Sequence, residues 1–78
     1  MTFHADVKLD CQGLSCPIPV LKTKTTIQKM EIGQVLEITA TDPGSLSDIP
    51  AFCNRTGQKL LESIQNNGLY VFYIRKSK

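Results

Sequence analysis

Apolar and polar positions alternate most clearly in two places along the chain. Val7, Lys8, Leu9 and Asp10 alternate as a half-buried strand does, and Gln12 and Gly13 then break the pattern. Residues 34–41 repeat it, with Leu36, Ile38 and Ala40 on one face and Glu37, Thr39 and Thr41 on the other. Between the two, Pro17, Val20, Leu21, Ile27 and Met30 share one broad helical face. Lys24 falls inside that arc, where its stem would lie along apolar surface while its ammonium reaches water. The spacing predicts a helix over residues 17–30, ended by Gly33, a residue free to take positive φ.

The second half carries a different set of signals. Asp42, Pro43 and Gly44 turn the chain, and Ser45 followed three residues later by Asp48 has the form of a capping box. A second helix is therefore expected from near Leu46 to near Leu61, with Pro50 early enough to be tolerated and Gly57 weakening its interior. Asn66, Asn67 and Gly68 form a hairpin signal between a brief strand at residues 62–65 and an aromatic, β-branched strand at 69–76. Both registers of that last strand are apolar. Either Leu69, Val71 and Tyr73 or Tyr70, Phe72 and Ile74 would face outward as a candidate partner surface.

The resulting order, β-α-β-α-β-β, predicts an α/β (α+β) two-layer sandwich with two helices on one face of a four-stranded mixed sheet. A right-handed crossover between the first two strands sends the loops after both of them off the same edge of the sheet. Both helix starts then gather near Cys16.

With 78 residues and 41% hydrophobic side chains, the chain is expected to form one domain over residues 1–78. No apolar run is long enough to cross a bilayer, and the start lacks the basic-then-apolar order of a signal peptide, so a cytoplasmic protein without membrane contact is expected. Nine Lys and Arg against seven Asp and Glu give a net charge of +2 with mixed signs, too little to argue for direct nucleic-acid binding. Three cysteines cannot all pair within one chain, so at least one thiol is free.

Candidate chemistry centres on Cys16, because Pro17 and Pro19 stand immediately around it. With Cys16 at the N-cap, Pro17 takes the first helical position, where its missing N–H costs nothing. The two prolines delete two of the unpaired donors of the helix start and leave those of Cys16 and Ile18. Together with the helix dipole, these donors would favour a thiolate and lower the thiol pKa from about 8.5 into the range of about 3.5–7.5 seen at such sites. Pro19 restricts Ile18 and stiffens the turn.

Most free cysteines are instead buried small hydrophobes, and Cys11 and Cys53 are read in that way. Cys53 lies about 12 Å along the second helix from Ser45, at 1.5 Å per residue. Cys11 is in addition a candidate secondary thiol, since the five-residue separation permits, without requiring, an approach to Cys16 across the loop. His4, the only histidine, lies near the terminus and offers no catalytic pair. The cysteine spacing lacks the close pairs of a zinc site. Asp42 and Asp48 read as a turn residue and a capping acid.

These stretches, LDCQGLSCPIPVLKTK, then TDPGSLSDIPAFC, then a final YIRK, resemble the TusA/SirA-like family of small sulfur carriers over nearly the whole chain. The most specific element is Cys-Pro-x-Pro, here Cys16, Pro17, Ile18 and Pro19, preceded by Gly13 and Leu14. The resemblance implies the same two-layer sandwich and a persulfide carried on Cys16. It further implies a donor protein (a cysteine desulfurase or a rhodanese-like protein), an acceptor protein and no metal or organic cofactor. Ile18 stands where members acting in tRNA thiolation tend to carry an acid, so thiolation, cofactor sulfuration and sulfur-compound oxidation all stay open. Two other readings compete with a sulfurtransferase: a regulatory or RNA- or protein-binding module in which the proline turn is structural, and a thiol sensor using Cys11 and Cys16.

Overall fold

In the computed structural model, which describes residues 4–78, the elements follow in the order β1 (Val7–Cys11), α1 (Ile18–Gln28), β2 (Val35–Ala40), α2 (Ser45–Thr56), β3 (Lys59–Asn66) and β4 (Leu69–Arg75). The four strands form one sheet in the order β1-β2-β4-β3. β1 runs parallel to β2, and the other pairs are antiparallel. Both helices pack on one face, as the sequence pattern implies.

The strand alternation sorts side chains into two faces. On the helix side the register stacks Leu9 beside Ile38 and Phe72, and Cys11 beside Ala40 and Tyr70. Leu36 pairs with Ile74, and Ile27, Met30, Ile49, Phe52 and Cys53 from the helical layer close over these rows. The register of β4 is thereby settled: Tyr70, Phe72 and Ile74 face the core, while Leu69, Val71 and Tyr73 face outward. Tyr73 is only 5% exposed on that outer face, and its phenol donates to Glu37 Oε2 at 2.7 Å. With Glu37 on one neighbouring strand and Glu62 paired to it on the other, the outer face carries acids among its apolar residues. Among the described residues, exposed large apolar side chains lie mainly elsewhere: Ile18 and Leu21 on α1, Leu46 on α2, and Ile32 in the loop before β2, with Leu69 alone on the outer face.

α1 buries a different stripe from the one its apolar residues suggest. Pro19, Thr23 and Ile27 face the sheet, followed by Met30, while Pro17 and Leu21 are exposed. Thr23 can be buried because its hydroxyl donates to the carbonyl of Pro19 at 2.8 Å, so no polar group is left unpaired. Lys24 is exposed, turned away from the buried stripe. The helix ends at Gln28 with Lys29 as C-cap, earlier than expected. Gly33 does take positive φ, +98°, but in the following turn, where its N–H donates to the carbonyl of Lys76.

The expected capping box is absent. Gly44 is the N-cap of α2, Ser45 is already helical, and no side chain caps the helix. Ser45 is buried and its hydroxyl has no hydrogen-bond partner among the described residues, while Asp48 is drawn to another group described below. α2 stops at Thr56, five residues before the expected end. Gly57 adopts φ +80° as a left-handed C-cap, its N–H donating to Cys53 O. The chain released becomes the start of β3, eight residues long, with a bulge between Leu60 and Glu62. The hairpin turn matches its signal: Asn67 and Gly68 both have positive φ, 52° and 80°, as a two-residue type I′ turn requires. Among the described residues no helix is long and apolar enough to cross a membrane.

Candidate functional site

Because β1 and β2 are parallel, the loops that follow them leave the same end of the sheet. The first loop begins with two local fastenings. Asp10 Oδ1 accepts the N–H of Gln12 at 3.0 Å, and Leu14 N–H donates to Cys11 O at 3.2 Å. Gly13 sits at φ +79° and donates its N–H to Thr41 Oγ1 at 2.9 Å, linking the two loops. Leu14 is half-buried and packs against the core, so the loop is anchored just before Cys16.

Cys16 itself lies one place earlier than expected. Pro17 is the N-cap, the Cys16–Pro17 peptide is cis, Ile18 is the first helical residue and Pro19 the second. The two backbone donors expected to face the sulfur are used elsewhere. Ile18 N–H donates to Ser15 O at 2.9 Å, and Cys16 N–H donates to Asp42 Oδ2 at 3.0 Å. The thiol meets the second loop and helix instead: Cys16 Sγ donates to Asp48 Oδ2 at 2.6 Å.

This arrangement reverses the expected electrostatics. A hydrogen bond to a carboxylate favours the protonated thiol, and negative charge nearby disfavours the thiolate. The Cys16 pKa is accordingly raised above the ordinary thiol value, first by the hydrogen bond to Asp48, then by desolvation and by the charges of Asp48 and Asp42. The exposed setting expected for Cys16 is present. The electropositive one is not, because the two N–H groups that the prolines spare are bonded to Ser15 and Asp42 while the sulfur itself meets Asp48. Asp42 and Asp48, read from sequence as a turn residue and a cap, are the groups that contact Cys16. The available signal was the pairing of a parallel strand order with one acid in the second loop and another on the first turn of α2, which places both near Cys16.

Beside the thiol runs an open groove of about 210 Å³ lined by Cys16, Pro17, Val20, Asp48, Ala51 and Arg55. Arg55, which sequence reasoning did not single out, is the cation among these lining residues. Ile18, 42% exposed, and Leu46 place apolar surface at the two helix starts.

The other thiols are set apart. Cys11 is fully buried in the core cluster and Cys53 is 3% exposed. Burial raises both pKa values, that of Cys11 with partial opposition from the charge of Lys22 and that of Cys53 to about 11. Neither resembles a nucleophile, and the Cys11 side chain belongs to the core layer. Among the described residues no three His, Cys, Asp or Glu side chains are gathered to hold a metal ion.

Comparison with known proteins agrees with this fold. Residues 7–76 match the family described as Sulfurtransferase TusA. The chain is 49% identical over 72 residues to the sulfur carrier protein TusA of Allochromatium vinosum, covering 92% of this chain and 95% of that one. It is 42% identical over 74 residues to the sulfur carrier protein TusA of Pseudomonas putida strain W619, covering 95% and 92%. In fold it is similar to the crystal structure of a SirA-like protein from Desulfitobacterium hafniense, with a TM-score of 0.79, 23% identity, and coverage of 92% of this chain and 99% of that one. The family match over residues 7–76 and the identity to these relatives over nearly the whole sequence lead to one assignment: the chain belongs to the TusA sulfurtransferase family.

Proposed function

We propose that this protein is a sulfur carrier that accepts sulfane sulfur as a persulfide on Cys16 and relays it to a cysteine of an acceptor protein. The observation that carries this reading is the contrast among the three thiols: Cys16 stands exposed on an open groove, while Cys11 and Cys53 are buried. The relatives named sulfur carrier protein support it. The donor is a cysteine desulfurase or a rhodanese-like protein. Donor and acceptor approach in turn the end of the sheet where Ile18 and Leu46 present apolar surface. Gly13, Leu14, Pro17 and Pro19 hold the turn in place, and Ile18 offers contact. The relay works in the cytoplasm, within one domain, without metal or organic cofactor and through proteins rather than nucleic acid.

The test is intact-mass measurement after incubation with a persulfide donor. The wild type, Cys11→Ser and Cys53→Ser are expected to gain one sulfur that a reductant removes, and Cys16→Ser to gain none. Loading that persists without Cys16 overturns the assignment and leaves the turn as a structural or binding element.

A further inference from the structure

A thiol that must act as a nucleophile is here bonded to a carboxylate. Asp48 Oδ2 lies 2.6 Å from Cys16 Sγ, and Asp42 Oδ2 accepts the backbone N–H of the same residue. Asp48 is on the first turn of α2 and is half-buried, so its side chain is fixed by the helix rather than swinging in solvent. Asp42 holds the Cys16 backbone, leaving Asp48 to meet the sulfur. Arg55, on the same helix two turns later, lines the other part of the groove. The sulfur therefore faces Asp48 and Asp42 from the second loop and helix, with Arg55 as the nearby cation in the groove.

Such a geometry disfavours a standing thiolate, yet it provides a fixed acceptor for the thiol proton. A base must lie within hydrogen-bond reach of the proton it removes, and Asp48 does. We propose that Asp48 is the proton-transferring residue of the sulfur relay: it takes the Cys16 proton as the sulfur is loaded and supplies a proton to the departing group. This inference rests on the carrier reading of Cys16.

The step balances without any further reagent. Cys16–S–H and a donor persulfide R–S–S–H become Cys16–S–S–H and R–S–H. The Cys16 Sγ–H bond breaks, its proton passing to Asp48 Oδ2, while Sγ forms a bond to the outer sulfur of the donor. The donor S–S bond breaks, its electron pair stays on R–S, and that sulfur takes the proton from Asp48. Cys16 is oxidised to a persulfide and the donor persulfide is reduced to a thiol by the same two electrons. Delivery to an acceptor thiol is the same exchange in the other direction, with Asp48 protonating Cys16 as it leaves.

The proposal separates two properties that normally change together. Replacing Asp48 with Asn removes the charge that suppresses the thiolate, so alkylation of Cys16 by iodoacetamide at pH 7 should become faster. Sulfur loading from glutathione persulfide should become slower, by about 10²-fold, the lower end of general acid–base contributions. Asp48→Glu, which keeps a carboxylate, should recover part of the loading rate. Rates are followed by intact mass, with Cys16→Ser as the blank and urea unfolding to verify the fold. If Asp48→Asn loads sulfur as fast as the wild type or faster, Asp48 only restrains the thiol and the proposal fails. If alkylation and loading both slow, Asp48 acts by holding the thiol in place and the proposal also fails. A wild type that takes up no sulfur removes the carrier reading itself and this inference with it.

Discussion

The backbone N–H of Cys16 donates to Asp42 Oδ2 at 3.0 Å, joining two loops that are 26 residues apart in sequence. The carbonyl of Asp42 also accepts the N–H of Ser45 at 3.0 Å, so one residue begins α2 and fastens the thiol loop. Net contributions of hydrogen bonds to charged groups are about 1.5–3 kcal/mol, and this one is exposed. Asp42→Ala should therefore lower stability by about 1–2 kcal/mol in urea unfolding. Asp42→Asn, which keeps an acceptor oxygen, should lose less than half of that. Equal losses would assign the stability to the charge of Asp42 rather than to the tie.

The three thiols should differ sharply in access. In the folded protein a bulky thiol reagent should modify one equivalent, at Cys16, and slowly at neutral pH because of the Asp48 hydrogen bond. Adding denaturant should release the two buried thiols. Peptide mapping that finds Cys11 modified in the folded state would contradict its place in the core.

Alkaline conditions should expose the cost of charging Cys53. Burial raises its pKa from 9.0 to about 11, so the folded state holds this proton more tightly than the unfolded chain. The associated stability is complete below about pH 9 and is lost as pH rises toward 11, because over that window the unfolded state binds fewer protons. Tm should fall across this interval. Cys53→Ala should flatten the fall without abolishing it, since the Cys11 pKa is raised in the same direction. An unchanged slope in Cys53→Ala would show that other groups carry the effect.

Gly13 isolates backbone strain from packing. Its φ is +79° and a Cβ there would meet nothing within 4 Å, so Gly13→Ala should cost only the left-handed penalty of about 1–2 kcal/mol. Thermal unfolding should register that loss. The sulfur taken up at completion should match the wild type, because the Cys16 contacts to Asp42 and Asp48 do not involve Gly13.

The alternating strands were readable because each side chain has a fixed destination: Leu36, Ile38 and Ala40 all face the core as their spacing requires. Asn67–Gly68 was readable because few residues accept its backbone angles. α1 was less so, since three threonines and two lysines blur its pattern and Thr23 hides its hydroxyl within the helix. The end of α2 was missed because a glycine weakens a helix or terminates it with the same letter, and here Gly57 terminates it. At the site, the exposed cysteine and its loop were legible from Pro17 and Pro19. The sign of its electrostatics was not, because it depends on Asp48, which lies 32 residues away and joins Cys16 only through the parallel strand pair. Local residue order cannot distinguish a capping acid from one turned across a loop.

The parallel pairing of β1 with β2 also sets when the thiol becomes quiet. Asp42 and Asp48 reach Cys16 only after these two strands have aligned, whereas the β3–β4 hairpin closes through a two-residue turn. A newly made chain, or one released by denaturant, therefore carries Cys16 as an ordinary thiol. Completing the fold lowers its readiness to ionise. Folding here restrains an exposed thiol, shielding it from the small electrophiles that attack any open thiolate.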